Sequence, residues 1–334
     1  MRVYLTYCLR RVGQFLFVVF AGVTIAFVIT HLTPIDPVEQ VISNLTASQS
    51  TDPAAIELMR QSLSALYGLE GSLWDQFLTF WGHVLAGGFG PSLSAYPTPV
   101  TQLIGNALPW TVGLMTTAIL VAWTIGNILG GLAGYYRDNR LLRIAGIVVM
   151  AVHPIPYYVL GLILLICFGY LWPVLPIAGG AQINMQQGFS LEFLGSTVRH
   201  ALLPALSLVL VGVGGWFLGM RSLVSNVITE DHVVYAQLAN VSSPRILGHY
   251  VVRNAIVPQV TGLAMSLGHA FGGAVIIEKL FGYPGVGKLL VDAVQAGDYS
   301  LVLGVTTVSI VGVAAAVLVI DLLYPLIDPR MKMS

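Results

Sequence analysis

Six apolar stretches dominate this chain, and each is long enough, as a helix rising 1.5 Å per residue, to cross a hydrocarbon core about 30 Å thick. They run approximately from Val12 to Leu32, Trp110 to Tyr135, Ile144 to Leu171, Leu202 to Val224, Val257 to Phe281 and Leu301 to Leu323. Backbone inside lipid must satisfy its own polar groups, so the expected fold class is an all-α membrane protein with six transmembrane helices. Composition agrees: of 334 residues, 56% are hydrophobic and 9% charged, against roughly a quarter charged in an ordinary soluble domain. The first stretch follows Arg2, Arg10 and Arg11, as a secretory leader would. Its length and the lack of a small-residue cleavage site read instead as an uncleaved first helix.

The formal net charge is zero, which gives no global argument for nucleic acid, yet the 15 basic residues are unevenly placed. Arg2, Arg10 and Arg11 precede the first span, Arg137, Arg140 and Arg143 join the second to the third, and Arg221, Arg245 and Arg253 surround the fourth connection. Arg330 and Lys332 follow the last span, leaving Arg60, Arg199, Lys279 and Lys288 on the opposite side. The positive-inside rule then places both termini in the cytoplasm. Cys8 and Cys167 lie far apart in or near predicted spans and form no disulfide framework.

One extracytoplasmic connection, residues 33–108, is too long to be a plain loop. Asp52 and Pro53 mark a helix start, with Ile56, Met59, Leu63 and Leu66 at helical spacing before Gly68. A second helix is predicted from Leu73 to Leu85, presenting Trp74, Phe77, Leu78, Trp81 and Leu85 to the membrane surface or to the other helices. His83 has no further ligand at metal spacing. Pro154 and Pro156 are expected to kink or break the third span, either as a broken helix that lines a pathway or as a structural kink in which His153 bonds a freed carbonyl. Small residues four apart, at Gly126, Gly130 and Gly134, at Gly215 and Gly219, and at Gly268 and Gly272, predict close helix packing, inside this chain or against a partner.

Catalytic material is scarce. His31, Glu278 and Asp321 fall near predicted helix ends, His153 and His269 are isolated, and no paired carboxylates, HExxH or G-x-S-x-G elbow occurs. "GYPGVGKLL" (282–290) places Gly282, Gly287 and Lys288 at phosphate-loop spacing, but Leu289 stands where a magnesium-binding Ser or Thr belongs. It falls on the outer side, so a glycine-rich turn and short surface helix are expected there instead. Any energy for transport must come from elsewhere.

The most informative polar segment is the cytoplasmic stretch 229–258. Tyr235 to Val241 reads as a short helix, Ser242 or Ser243 caps the next with Pro244 at its first position, and Arg245 to Val257 returns toward the membrane. Exposed Ala236, Leu238, Ala239 and Val241 would dock into a partner's groove.

At these residues the chain resembles the permease subunits of ABC importers, in particular the dipeptide and oligopeptide permease family. Glu230, Asp231, Tyr235 and Ala236 open that family's cytoplasmic signature, and Arg253, Asn254, Ala255, Ile256 and Pro258 close it. The likeness extends to "THLTPIDPV" (30–38), "YGLEGSLWDQFLTFWGHVLAGGFGPSL" (67–93), "HALLPALSL" (200–208), "EKLFGYPGVGKLLVDAVQAGDYSLVLG" (278–304) and "DLLYPLIDPR" (321–330). It implies a single permease domain over 1–334 in the lipid of a bacterial inner membrane, working with a second homologous permease subunit. Two cytoplasmic ATPase subunits would bind ATP and magnesium, and an extracytoplasmic solute-binding protein would deliver the solute. No cofactor, no nucleic acid and no enzymatic activity are expected of this chain.

The resemblance puts the ATPase-coupling contact at Tyr235, Ala236, Asn240, Val241 and Ser242. Asn240 occupies the place of the family's usual glycine and Ala239 that of a basic residue; asparagine is the next most tolerant of left-handed backbone. Tyr157, Tyr158 and Trp216 are candidates for the translocation path, with helix packing the competing role. Short peptides lead as solute; oligosaccharides, opine-like conjugates and nickel chelates are alternatives. A self-contained secondary transporter or membrane enzyme is the remote rival, and it would work without ATP or partners.

Overall fold

A computed structural model describes residues 2–32, 38, 39, 42, 53–66 and 71–327, apart from 184, 186, 187 and 189. Among the described residues the chain is helical, and the one β-type pairing is an isolated bridge between Pro91 and Pro99. The helices are α1 (Arg2–Leu32), α2 (Pro53–Leu66), α3 (Leu73–Leu85), α4 (Val100–Tyr135), α5 (Arg140–Val152) and α6 (Tyr157–Leu165). They continue as α7 (Leu191–Val227), α8 (Asp231–Leu238), α9 (Arg253–His269), α10 (Val275–Leu280), α11 (Val286–Gln295) and α12 (Tyr299–Ile327).

Among the described residues four helices are long and apolar enough to cross a membrane: Thr6–Leu32 within α1, α4, α7, and Tyr299–Leu322 within α12. The predicted third span is the pair α5 and α6, the latter prolonged by π-helical turns at Ile166–Leu171, and it bends by 99°. The break falls at Pro154 and Pro156, whose missing N–H groups cannot continue the helical ladder. His153 Nδ1 lies 3.0 Å from the Val211 carbonyl, tying the break to α7. The predicted fifth span, 257–281, is divided into α9, a 3₁₀ turn at Ala270–Gly272 and α10, with Gly273 in the left-handed region between them. α4 starts ten residues before the predicted second span and carries Pro109 inside it. Asp52 lies outside the described residues, whereas the predicted helix over Leu73–Leu85 is α3.

The chain groups into two compact units. In the first (Met1–Thr111, Phe271–Val275 and Pro284–Ser334), α1 lies along α12, where a side chain at Gly22 would press on Ile310. Near the start of α1, Arg11 pairs with Asp321 at 3.0 Å, and the Tyr7 hydroxyl donates to the Asp321 carbonyl. α3 docks on α1 through rings: Phe20 stacks on Trp81 at 5.3 Å, and Phe27 meets Phe77 and Phe80 at 5.4 Å. Trp74, Leu78 and Leu85 stay exposed, so only part of the predicted apolar face packs. Ser72 starts α3 with a reciprocal capping box, and its bonds hold the Asp75 carboxyl below the usual range. Val100, Ile104 and Ala107 of α4 form a core with Val286 and Ala293 of α11 and Leu301 and Val305 of α12.

The second unit (Val112–Ala270 and Ile276–Tyr283) is organised by close helix approach. A Cβ at Gly126 would stand 2.5 Å from Trp216 Cβ, one at Gly130 2.4 Å from the Phe217 carbonyl oxygen, and one at Gly134 2.9 Å from that of Arg221. The row on α4 is thus spent within this chain, against α7. α9 joins the same layer, where the Trp123 indole donates to the Gln259 carbonyl at 3.0 Å.

Candidate functional site

The segment after α7 folds as a rigid corner. α8 starts after Glu230, whose carbonyl accepts from the Val233 and Val234 amides, and periodicity divides the helix into two faces. Val233 and Ala236, three apart, are buried with Met220, Val224 and Val227 of α7 and with Ile246, Val251 and Ala255 further on. Each valine, isoleucine or methionine among them stabilises by about 1.5–3 kcal/mol when fully buried, and each alanine methyl by less. Tyr235 and Leu238, also three apart, project outward and are 70% and 77% exposed. Ala236 is only 6% exposed, so the expectation of an exposed Ala236 is corrected: it anchors α8 from below. Ala239 is exposed and Val241 half-buried.

Asn240 closes α8. Its φ of +56° makes it the one non-glycine residue in left-handed backbone among the described residues. The Val241 amide donates to the Ala236 carbonyl at 3.1 Å and the Asn240 amide to the Gln237 carbonyl at 3.0 Å, the paired bonds of a Schellman closure. The turn expected of a glycine therefore forms with asparagine. Ser242 is next, extended and exposed; its hydroxyl makes no capping bond, while its carbonyl accepts from the Arg245 and Ile246 amides at 3.0 Å. Pro244 sits in the first turn of Ser243–Arg245, and π-helical turns over Ile246–Val252 lead into α9.

A polar clasp joins two signature residues, Glu230 and Asn254, through His232, which sequence reasoning did not single out. Asn254 Nδ2 donates to the Tyr250 carbonyl at 2.8 Å and lies 3.1 Å from His232 Nε2, while Glu230 Oε2 is 3.4 Å from His232 Nδ1. His232 Nε2 also lies 3.3 Å from the Tyr250 carbonyl, so that carbonyl, the Asn254 amide and the imidazole meet at one point. The available signal was the helical spacing of Tyr250 and Asn254, in register with a histidine at the start of α8.

The other sequence candidates lie apart from this corner. Tyr157 and Tyr158 meet edge to face at 6.0 Å at the start of α6, Tyr158 exposed and Tyr157 half-buried. Trp216 is wedged between glycines, its Cβ over Gly126 and its ring 3.1 Å from where a Cβ on Gly262 would be, which is a packing role. Before the 282–290 stretch a helix, α10, stands where a phosphate loop needs a strand. The first amide of α11, on Val286, is taken by Thr111 Oγ1 at 2.8 Å, and Lys288 pairs with Asp292 at 2.5 Å. Burial, assisted by the Glu278 carboxylate, pushes the Tyr283 phenol up to about 12. Asp298, fully buried, caps α12 by accepting from the Leu301 amide and gathers Ser92 and Ser94, whose hydroxyls lie 2.5 and 2.8 Å from Oδ2.

Apolar helices of membrane length, a broken span and sparse ionisable groups define a multi-pass membrane protein, and its corner after α7 joins a buried anchor to an exposed apolar ridge. Residues 126–333 match the model of the binding-protein-dependent transport system inner membrane component, and the chain belongs to that family. It is 25% identical over 327 residues to the dipeptide transport system permease protein of Lactococcus lactis subsp. cremoris, covering 98% of this chain and 99% of that one. Against the oligopeptide transport system permease protein of Bacillus subtilis it is 29% identical, over 93% of this chain and 94% of the relative. Against the di/tripeptide transport system permease protein of Pseudomonas aeruginosa it is 30% identical, over 98% and 99%. The chain is thus a transport permease of the inner membrane, not an enzyme.

Proposed function

We propose that this chain is the membrane-spanning subunit of an ATP-driven importer for short peptides. Whole-length similarity to permeases named for dipeptides, oligopeptides and di/tripeptides supports the solute class. A second homologous permease completes the pathway, two cytoplasmic ATPases bind ATP and magnesium, and an extracytoplasmic binding protein delivers the peptide. Counting α5 with α6 and α9 with α10 as broken crossings gives six spans in a single permease domain, with both termini, by the basic-residue distribution, in the cytoplasm.

The observation that carries the coupling role is the ridge of Tyr235 and Leu238 above the Val233 and Ala236 anchor. An ATPase gripping Tyr235, Leu238, Asn240, Val241 and Ser242 would move α7 and α9 with it, because the corner shares a core with both. Nucleotide binding then biases two states of the helices, as any ligand-driven transition requires. Proteoliposomes holding the permease pair and the ATPases test this with a labelled dipeptide and its loaded binding protein. Uptake should require ATP on the ATPase side; uptake by the permease without ATP or partners would overturn the proposal in favour of a self-contained transporter.

A further inference from the structure

Three arginines converge on one hollow of the second unit. Arg137 follows α4, Arg143 lies in the first turns of α5, and Arg221 is on α7. They line a recess of about 100 Å³ together with Tyr136, Ile147 and Met150. The convergence follows from the glycines: Gly134 brings the end of α4 against the Arg221 carbonyl, and Gly146 seats α5 on the Phe217 ring. Arg137 is steadied by the Gly134 and Ser225 carbonyls at 3.3 and 3.4 Å. Among the described residues no carboxylate lies within ion-pair distance of any of the three guanidiniums.

Three like charges around one small space repel one another, and an anion placed among them relieves that repulsion. Guanidinium groups present paired N–H donors matched to phosphate oxygens. The recess sits where α4 ends and α5 begins, at the tips of candidate spans, with apolar side chains continuing below it. Headgroups occupy that depth in a bilayer, and basic recesses between spanning helices suit anionic lipids. We propose that Arg137, Arg143 and Arg221 bind a phosphate group, supplied by the headgroup of an anionic phospholipid whose chain follows Ile147 and Met150. This site is separate from the coupling corner and does not depend on which solute is carried.

The full chain in micelles is titrated with dioleoyl phosphatidylglycerol and with dioleoyl phosphatidylcholine, and bound lipid is read by native mass spectrometry. The wild type should retain phosphatidylglycerol in preference to phosphatidylcholine, and R143Q/R221Q should weaken the former roughly 30-fold. R143K/R221K, which keeps the charge and removes the fork, should fall between, and R10Q should match the wild type. Inorganic phosphate that displaces the lipid from wild type, and itself binds wild type but not R143Q/R221Q, would keep the site and overturn the lipid as its source. Equal retention of the two lipids by wild type would overturn the proposal even if the double variant fails to fold. A loss in R10Q as deep as in the double variant would reduce the effect to general surface charge and overturn it as well.

Discussion

At Asn240 the whole corner turns on one backbone angle. A left-handed φ costs an L-residue roughly 1–2 kcal/mol, least for glycine and for Asn or Asp, and here it buys two backbone bonds that end α8 and aim Ser242 outward. Asn240→Gly should therefore leave thermal stability and ATP-dependent dipeptide uptake near wild type. Asn240→Val, β-branched in the same conformation, should cost about 2 kcal/mol of local stability and lower uptake while bulk helicity by circular dichroism stays unchanged. Equal uptake by the two variants would show that the left-handed closure is not needed for coupling.

At the scale of elements, the glycine row separates two uses of the same residue. An alanine at Gly130 would force a Cβ to within 2.4 Å of the Phe217 carbonyl oxygen, where backbone must move, whereas among the described residues no neighbour stands within 4 Å of a Cβ at Gly113. Gly130→Ala should lose about 1–3 kcal/mol from overpacking and lower the melting temperature in detergent; Gly113→Ala should hold or raise it, since alanine favours a helix by about 1 kcal/mol. The turn joining α10 to α11 gives a pH test. Tyr283 titrates at about 12 in the folded chain against 10.0 when free. Its neutral form is favoured by folding, so that stability is complete below pH 10 and is lost as pH rises from 10 to 12. Tyr283→Phe should flatten the alkaline fall in melting temperature across that window. Element existence was legible from the sequence wherever period and punctuation agreed: α3 matches its predicted bounds, and the two prolines mark the 99° break. The division of 257–281 was not legible, because the interruption is a turn at Ala270–Gly273 whose Gly272 also fits the small-residue spacing with Gly268 that reads as a packing row. The Ser92, Ser94 and Asp298 cluster was equally hidden, since it joins residues about two hundred positions apart.

For the whole molecule, the sequence exposed the site's location and not its facing. The resemblance marked Ala236 and Tyr235 as neighbours in a signature, yet three-dimensional packing assigns them opposite duties, one inside the core with α7 and one outside. Coupling to a separate ATPase, as proposed, would need both: an anchor that transmits displacement into the helices, and a ridge that the partner can grip. Removing the ridge should therefore separate assembly from folding. Tyr235→Ala with Leu238→Ala deletes two exposed side chains, so the purified permease should melt within a degree or two of wild type, as surface changes normally do. One interface hot spot is worth about 2 kcal/mol or more and neighbouring hot spots do not add, so removing the pair should weaken co-purification with the ATPases by at least roughly 30-fold, the worth of one, and ATP-dependent uptake should fall with it. Gln237→Ala, an exposed polar change on the same helix, should leave assembly and uptake unchanged. If the double variant kept full assembly and uptake, the partner would have to grip another surface, and the corner would be a structural bend alone.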